Sequence, residues 1–273
     1  MRTKILFSDL DGTLLDDAKN VSSRDLSSIN EMIKAGHRFV IATGRPVFSA
    51  KLVARKLNLY RDGIYLCASN GGVIYDCGKE EIIHADSLAM DTVDILFRAA
   101  QKAGLHVQTY TDDHVVALRE TDELKQYCKR IMMPYKILER IPEDLPARPP
   151  KIIVICAKEG SRAILEEFEK SNQAAVSGLT ESVFSNDFLL EYLPVGVSKG
   201  NAAKIMCDLL GIPTANAVAA GDEANDIPML VAAGTGCVVA NATALAKLHA
   251  DYVCANSNNE SAVSEIIEKF ILG

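Results

Sequence analysis

The chain predicts a doubly wound α/β fold with a second, α+β domain inserted into it. Three observations carry this. Short apolar runs alternate with helical patterns near both ends of the sequence, as in a parallel sheet buried on both faces. Several of these runs end in aspartate, threonine and glycine, and open α/β sheets keep their chemistry beyond the carboxyl ends of the strands. The alternation breaks between residues 87 and 193, where hairpin-like strand pairs and proline-marked connections take over.

In order, Ile5 to Phe7 is the first buried strand, and it runs into Ser8-Asp9-Leu10-Asp11-Gly12-Thr13. Strand side chains alternate, so Asp9 and Asp11 share a direction as the strand ends. Val21 to Ala35 has helical spacing, with Ser22 as N-cap and Gly36 just past the C-terminus. Arg38 to Ala42 is the second strand, followed by Thr43-Gly44-Arg45-Pro46, and Pro46 suits the first turn of a helix reaching about Leu57. Ile64 to Ala68 is the third strand. Ser69-Asn70-Gly71-Gly72 then turns the chain into a hairpin of Val73 to Tyr75 and Glu81 to Ile83.

The inserted block begins with a helix over Asp91 to Ala103, stopped by Gly104. His106 to Thr111 and Val115 to Leu118 form a hairpin, Thr121 to Met133 a helix, and Pro142, Pro146, Pro149 and Pro150 an irregular connection. Lys151 to Ala157 is a strand and Ser161 to Ser171 a helix. Val183 to Ser185 and Leu189 to Leu193 are strands joined near Asn186-Asp187. The α/β pattern resumes with a helix from Ser198 to Leu210, and Ala217 to Ala220 leads into Gly221-Asp222-Glu223-Ala224-Asn225-Asp226. A helix over Ile227 to Ala233 follows. Gly236 to Val239, Thr243 to His249, Tyr252 to Cys254 and Glu260 to Leu272 continue the alternation. The expected domains are 1–86 with 194–273 as the core, and 87–193 as the insert, a block of ordinary domain size.

Composition narrows the function classes. With 273 residues, 48% apolar and 24% charged, the chain reads as a globular enzyme-like protein. A net charge of −7 argues against nucleic acid as a partner, though a few placed donors can hold a small anion. No apolar run approaches the roughly 20 residues a membrane span needs. The first strand begins so close to Met1 that no signal peptide is expected. The seven cysteines are scattered, and no pair has zinc-ligand spacing. Cys67, Cys156, Cys207, Cys237 and Cys254 lie in apolar segments, as reduced core thiols of a cytoplasmic protein would.

Four polar segments stand at expected strand or helix ends: Asp9 with Asp11, Thr43 with Gly44, Lys199, and Asp222 with Asn225 and Asp226. Each has a competing account. Asp9 and Asp11 could serve only as loop residues. Thr43 could cap the following helix, and Asp222 could answer a helix dipole. Lys199 fits no such account, because a cation in the first turn of a helix is disfavoured by the dipole and points to an anion nearby. If the carboxylates converge, each close pair repels by about 4 kcal/mol at an effective dielectric near 20. A divalent cation removes that difficulty, and oxygen ligands beside a phosphate are the pattern of Mg2+. Lys199, the Thr43 hydroxyl and N–H groups at a helix start would then hold phosphate oxygens.

D-x-D-G-T at Asp9 to Thr13, Thr43 after the second strand, Lys199 in S-K-G, and G-D-x-x-N-D at Gly221 to Asp226 together resemble the four motifs of the haloacid dehalogenase-like phosphatases. Their order resembles the Cof-type branch, whose large α/β cap lies between the second and third motifs on a doubly wound, Rossmann-like core. T-G-R-P and S-N-G-G add to the resemblance, which covers the whole chain. It implies that Asp9 attacks phosphorus to form an aspartyl-phosphate, and that Asp11 protonates the leaving alcohol and later activates water. It implies Mg2+ held by the Asp9 carboxylate, the Asp11 main-chain carbonyl and Asp222, with Asp226 supporting the metal. The Leu10 N–H, Thr43, Gly44, Lys199 and Asn225 would bind the phosphoryl group. Arg45 would reach the substrate or the cap, or be a solvated helix-start arginine.

The implied substrate is a small phosphorylated metabolite such as a sugar phosphate, chosen by the cap. Its turns at Asp112 to His114 and Asn186 to Phe188 are the candidate substrate contacts. Neither nucleic acid nor membrane is expected as a partner, and the assembly is a monomer or homodimer. A phosphomutase would keep the Asp9 chemistry but usually carries a smaller helical cap placed elsewhere. A non-catalytic phospho-ligand sensor would not need an intact nucleophile, acid and metal set.

Overall fold

A computed structural model describes residues 2–273, which divide into two compact units. The first comprises the residues up to Gly44, Val53–His84 and Ser198–Gly273. The second comprises Arg45–Leu52 and Ala85–Val197.

The first unit is an α/β sheet. In chain order it begins with β1 (Ile5–Asp9), α1 (Ser23–Lys34), β2 (Arg38–Ala42), α2 (Val47–Lys56), β3 (Ile64–Ala68), β4 (Val73–Asp76) and β5 (Glu81–Ala85). α2 begins among residues grouped with the second unit, and β5 ends there. Every residue of β1 is buried, which is why its sequence is an unbroken apolar run rather than an alternation. α1 starts where Ser22 accepts the Asp25 N–H, and it ends before Gly36, whose φ of 89° only glycine adopts readily.

The second unit contributes α3 (Met90–Lys102), β6 (His106–Tyr110), β7 (Val115–Ala117), α4 (Asp122–Ile131), β8 (Tyr135–Ile137), β9 (Ile152–Ile155), α5 (Ser161–Val176), β10 (Thr180–Asn186) and β11 (Leu189–Pro194). The first unit then resumes with α6 (Lys199–Leu210), β12 (Ala217–Gly221), α7 (Ile227–Ala232), β13 (Thr235–Val238), α8 (Ala244–Lys247), β14 (Tyr252–Val253) and α9 (Ala262–Ile266).

The larger sheet has the strand order β14-β13-β12-β1-β2-β3-β4-β5. It is parallel from β14 to β3, and β4 runs antiparallel to β3. From β1 the chain builds β2 and β3 on one side and returns to build β12, β13 and β14 on the other. The strand order therefore reverses at β1, the place where doubly wound sheets open a crevice for ligands.

The smaller sheet has the order β10-β11-β9-β6-β7-β8 and is antiparallel except where β7 meets β8. Alternation along its strands makes two apolar clusters. Val107, Val154, Leu190 and Tyr192 pack with Leu96 and Phe97 of α3 and Leu165 and Phe168 of α5. Tyr110, Ile153, Ile155 and Leu189 pack with Leu124, Tyr127 and Ile131 of α4, and with Phe48.

Several elements differ from expectation. β8 falls in the stretch read as an irregular connection, because three residues at a sheet edge are too few to show a period. α5 runs five residues past Ser171, carried by Ala174, Ala175 and the buried Val176 beyond a polar Asn172-Gln173. β10 starts at Thr180 rather than Val183. The last helix breaks after Ile266 into a π-turn over Ile267–Ile271.

Candidate active site

Three neighbouring strands deliver the motif residues to one edge of the larger sheet. Asp9 is in register with Ala42, one residue before Thr43, and Ser8 is in register with Ala220, two residues before Asp222. Residues 209 positions apart in sequence are therefore side by side, and Thr13 Oγ1 donates to Asp222 Oδ1 at 2.7 Å. Gly12 makes this approach feasible. Its φ is 92°, and a Cβ there would stand 2.5 Å from Asp222 Oδ2.

Lys199 opens α6. Ser198 caps that helix by accepting the Asn201 N–H at 3.1 Å. The Lys199 side chain is almost fully buried. Its Nζ donates to Asp9 Oδ1 and, at 2.6 Å, to Asp226 Oδ1. The anions that the unusual position of this lysine pointed to include these two carboxylates. Asp226, with no exposed surface, uses its other oxygen to accept the N–H groups of Asp222 at 2.9 Å and Glu223 at 3.1 Å. One side chain thus fixes both the lysine and the backbone that carries Asp222.

The electrostatics are unbalanced. Oxygen atoms of Asp9, Asp222 and Asp226 all lie within 4.8 Å of one another, and all three residues are buried. Lys199 is the cation that pairs with this group. Burial pushes the Asp9 carboxyl up to about 8, with Lys199 opposing the rise and Asp226 and Asp222 adding to it. Asp222 is pushed up to about 6, mainly by burial, against the Thr13 hydrogen bond that favours its ionised form. Burial works against the charge of Lys199, but Asp226 and Asp9 outweigh it and hold its pKa above the ordinary value. An all-oxygen donor set with surplus negative charge fits a hard divalent cation.

Thr43 is buried, its N–H donates to the Cys67 carbonyl at 2.8 Å, and its carbonyl accepts the Asn70 N–H at 3.1 Å. A Cβ on Gly44 would stand 2.9 Å from Asn70 Oδ1. Ser69 and Asn70 both have positive φ, at 52° and 60°. Two consecutive non-glycine residues in that region are strained, and such strain collects at functional sites.

Asp11 differs from Asp9. Its side chain is 38% exposed and pairs with Lys19 at 3.0 Å, an exposed pair that holds it only weakly. Leu10 is fully buried between the two aspartates, and its carbonyl accepts the Leu15 N–H at 2.8 Å. Asn225 is half-buried on the turn Ala224–Asp226 that leads into α7. Arg45 groups with the second unit, where its Nη1 lies 3.5 Å from Ser49 Oγ. In the sequence Thr13 and Asn70 stand out only as parts of D-x-D-G-T and S-N-G-G. Their partners, Asp222 and Thr43, become visible only once the strand order is known.

The model of the haloacid dehalogenase-like hydrolase family matches residues 6–267. The chain is 28% identical over 275 residues to the Bacillus subtilis (strain 168) protein named "Putative phosphatase YxeH", covering 98% of each. It is 25% identical over 269 residues to 5-amino-6-(5-phospho-D-ribitylamino)uracil phosphatase YcsE of the same strain, covering 98% of this chain and 96% of that protein. A solved haloacid dehalogenase-like hydrolase from Bacteroides thetaiotaomicron superposes with a TM-score of 0.89 at 26% identity, covering 98% of this chain and 99% of that one. With that match across the chain and the aspartate–lysine cluster at the strand ends, the chain belongs to the haloacid dehalogenase-like hydrolases and is an enzyme of their phosphatase kind.

Proposed function

We propose that this phosphatase hydrolyses small phosphomonoesters, depends on Mg2+, and works through an aspartyl-phosphate on Asp9. The observation that carries the reading is the buried cluster of Asp9, Lys199, Asp222 and Asp226, three neighbouring carboxylates of which Asp9 and Asp226 hold the Lys199 ammonium. Asp9, Asp222 and the Asp11 main-chain carbonyl would hold the cation, with Asp226 behind them. When bound, Mg2+ supplies positive charge that favours ionised Asp9 and offsets charge on the transferring group.

The chain's own residues do the rest. Asp9 attacks phosphorus with one carboxylate oxygen while the ester bond to the leaving oxygen breaks. Lys199, held in place by Asp226, presents a fixed charge to the phosphoryl oxygens. The Thr43 hydroxyl, the N–H groups of Leu10 and Gly44, and Asn225 complete the phosphoryl contacts. Asp11, the exposed carboxyl of the pair, donates a proton to the leaving oxygen and later takes one from the water that cleaves the acyl-phosphate.

The second unit governs which ester is accepted, and Arg45 joins it in contacting the substrate. YcsE, by its name, removes phosphate from a ribityl compound, which supports a hydroxylated leaving group here. Among the described residues no helix is long and apolar enough to cross a membrane, and all seven cysteines are free and buried, which supports a cytoplasmic location. The protein is a monomer or a homodimer.

The test is Asp9→Asn assayed on a panel of phosphate esters with Mg2+, together with acid-quench trapping of phosphate on the wild-type enzyme. The expected result is stoichiometric label on Asp9 and at least a thousandfold lower kcat in the variant. Retention of a tenth of wild-type kcat, about 1.4 kcal/mol of barrier, would overturn the nucleophile.

A further inference from the structure

The second unit carries a polar pocket that the proposed phosphatase chemistry does not use. It lies between the C-terminal end of α5 and the hairpin of β10 and β11, and its volume is about 560 Å³, within the range of small-molecule sites. Every lining residue belongs to the second unit, and none belongs to the aspartate–lysine cluster.

Tyr192 lines the pocket from β11. Strand register sets it between Ile152 of β9 and Ser182 of β10. Its ring packs edge-on against Phe168 of α5, with centroids 6.4 Å apart, inside the apolar cluster that α3 and α5 share. The residue is 1% exposed, and its hydroxyl has no hydrogen-bond partner among the described residues. Burial and the nearby Glu169 carboxylate both push the hydroxyl's pKa up, so it keeps its proton. Phenylalanine would fill the same place in the cluster without stranding a polar atom. Buried tyrosine hydroxyls usually find a partner. An unpartnered O–H bordering a pocket therefore points to a ligand atom as its acceptor.

The rest of the lining suits a cation. Glu169 of α5 and Glu181 of β10 both contribute to it. Glu169 Oε1 accepts the Ser182 hydroxyl, and Glu181 Oε1 accepts the Gly196 N–H at 3.2 Å. Each carboxylate is thus anchored through one oxygen. Gln173, Val176 and Gly178 bring in the C-terminal end of α5. The last carbonyls of a helix carry partial negative charge, which a basic residue in the last turn commonly answers. α5 has no basic residue there. Lys170, exposed on the same lining, offsets one of the two carboxylates, so surplus negative charge remains.

We propose that this pocket binds a small amino alcohol. Its ammonium pairs with the second oxygens of Glu169 and Glu181 beside the end of α5, and its hydroxyl accepts the Tyr192 O–H. An ammonium has donors and no acceptor, so alone it answers the carboxylates but not the tyrosine. A hydroxyl both accepts and donates, and it supplies the missing acceptor. A carboxylate or phosphate at the same place would be repelled by Glu169. A bare metal ion offers the O–H no acceptor. The exposed side chains of Lys170 and Gln173 make room by changing rotamer. This site stands independently of the phosphatase reading.

The test is isothermal titration calorimetry with ethanolamine and 2-amino-1,3-propanediol at constant ionic strength. Propylamine, which has an ammonium and no hydroxyl, and 1,2-propanediol, which has hydroxyls and no ammonium, serve as comparison probes. The wild type is expected to bind at least one amino alcohol at one site per chain with a millimolar or tighter Kd, and to bind both comparison probes at least fivefold more weakly. Tyr192→Phe should weaken the amino alcohol at least fivefold and Glu169→Gln at least tenfold. Without ligand, the Tm of Tyr192→Phe should equal or exceed that of the wild type, because the change removes an unpartnered buried polar atom. A Tm lowered by this change would show that the hydroxyl has a partner within the folded chain, and would overturn the proposal. So would the absence of saturable binding of either amino alcohol, or a comparison probe that binds as tightly. Amines bound at the aspartate cluster instead would leave the affinity unaltered in both variants, and that result also overturns it. If Glu169→Gln shows no cooperative unfolding transition, Tyr192→Phe decides by the same criterion.

Discussion

Asp226 commits one oxygen to Lys199 and the other to two backbone N–H groups of the loop that carries Asp222. Its effect on chemistry therefore runs through other residues. In Asp226→Asn an amide replaces a carboxylate beside a buried ammonium. Removing one partner of a buried pair costs about 3–5 kcal/mol, so both a lower Tm and at least a hundredfold loss of kcat are expected. Added Mg2+ should not restore kcat, because the lost function is the placing of Lys199. Full rescue by Mg2+ would mean that Asp226 acts as a metal ligand alone. At this scale the sequence was informative where a residue broke a local rule. Lys199 was legible because a cation opening a helix contradicts the dipole. Thr13 and Asn70 break no rule that can be read one residue at a time. Thr13 matters because of a hydrogen bond across 209 positions, which strand order alone creates.

α6 shows the same division for a whole element. Its start and stop were readable from Ser198 and Gly211, and Gly211 does take a φ of 63°. What the sequence did not convey is why glycine follows the lysine. A Cβ on Gly200 would stand 2.2 Å from the Pro228 carbonyl oxygen, which belongs to the backbone of α7. Two effects compete in Gly200→Ala. Helix propensity favours alanine by about 1 kcal/mol. Overpacking against a neighbour that cannot rotate away costs about 1–3 kcal/mol. The clash should win, giving a lower urea midpoint and a kcat reduced at least tenfold as Lys199 shifts with its helix. A raised midpoint would show that α6 and α7 are not held this closely. β8 marks the opposite limit. It exists because β7 offers Tyr135–Ile137 an edge to pair with, and nothing in those three residues announces it.

Across the whole molecule, the reversal of strand order at β1 gathers carboxylates from opposite ends of a 273-residue chain into one buried cluster. The α/β alternation made that architecture legible. The placing of Arg45–Leu52 with the second unit was not legible, because it depends on Phe48 meeting an apolar cluster far along the chain. The gathered charge has a consequence for the stability of metal-free protein. Folding raises the Asp9 pKa from 3.8 to about 8 and that of Asp222 from 3.8 to about 6. Between those limits the folded state binds more protons than the unfolded chain, so stability falls as pH rises. The contribution is fully present below about pH 4 and is lost by about pH 8. Chelated protein should therefore unfold at a lower temperature at pH 8 than at pH 6. Saturating Mg2+ should shrink or reverse that difference, since a cation bound to the folded state alone stabilises it, and does so most where the carboxylates are ionised. Asp222→Asn removes one of the titrating groups and should flatten the pH dependence of the chelated protein. Thermal scans at pH 6, 7 and 8, with chelator and with Mg2+, test this directly. A chelated wild type whose Tm rises from pH 6 to pH 8 would show that the cluster is not charge-frustrated, and would remove the electrostatic case for a divalent cation among these three aspartates.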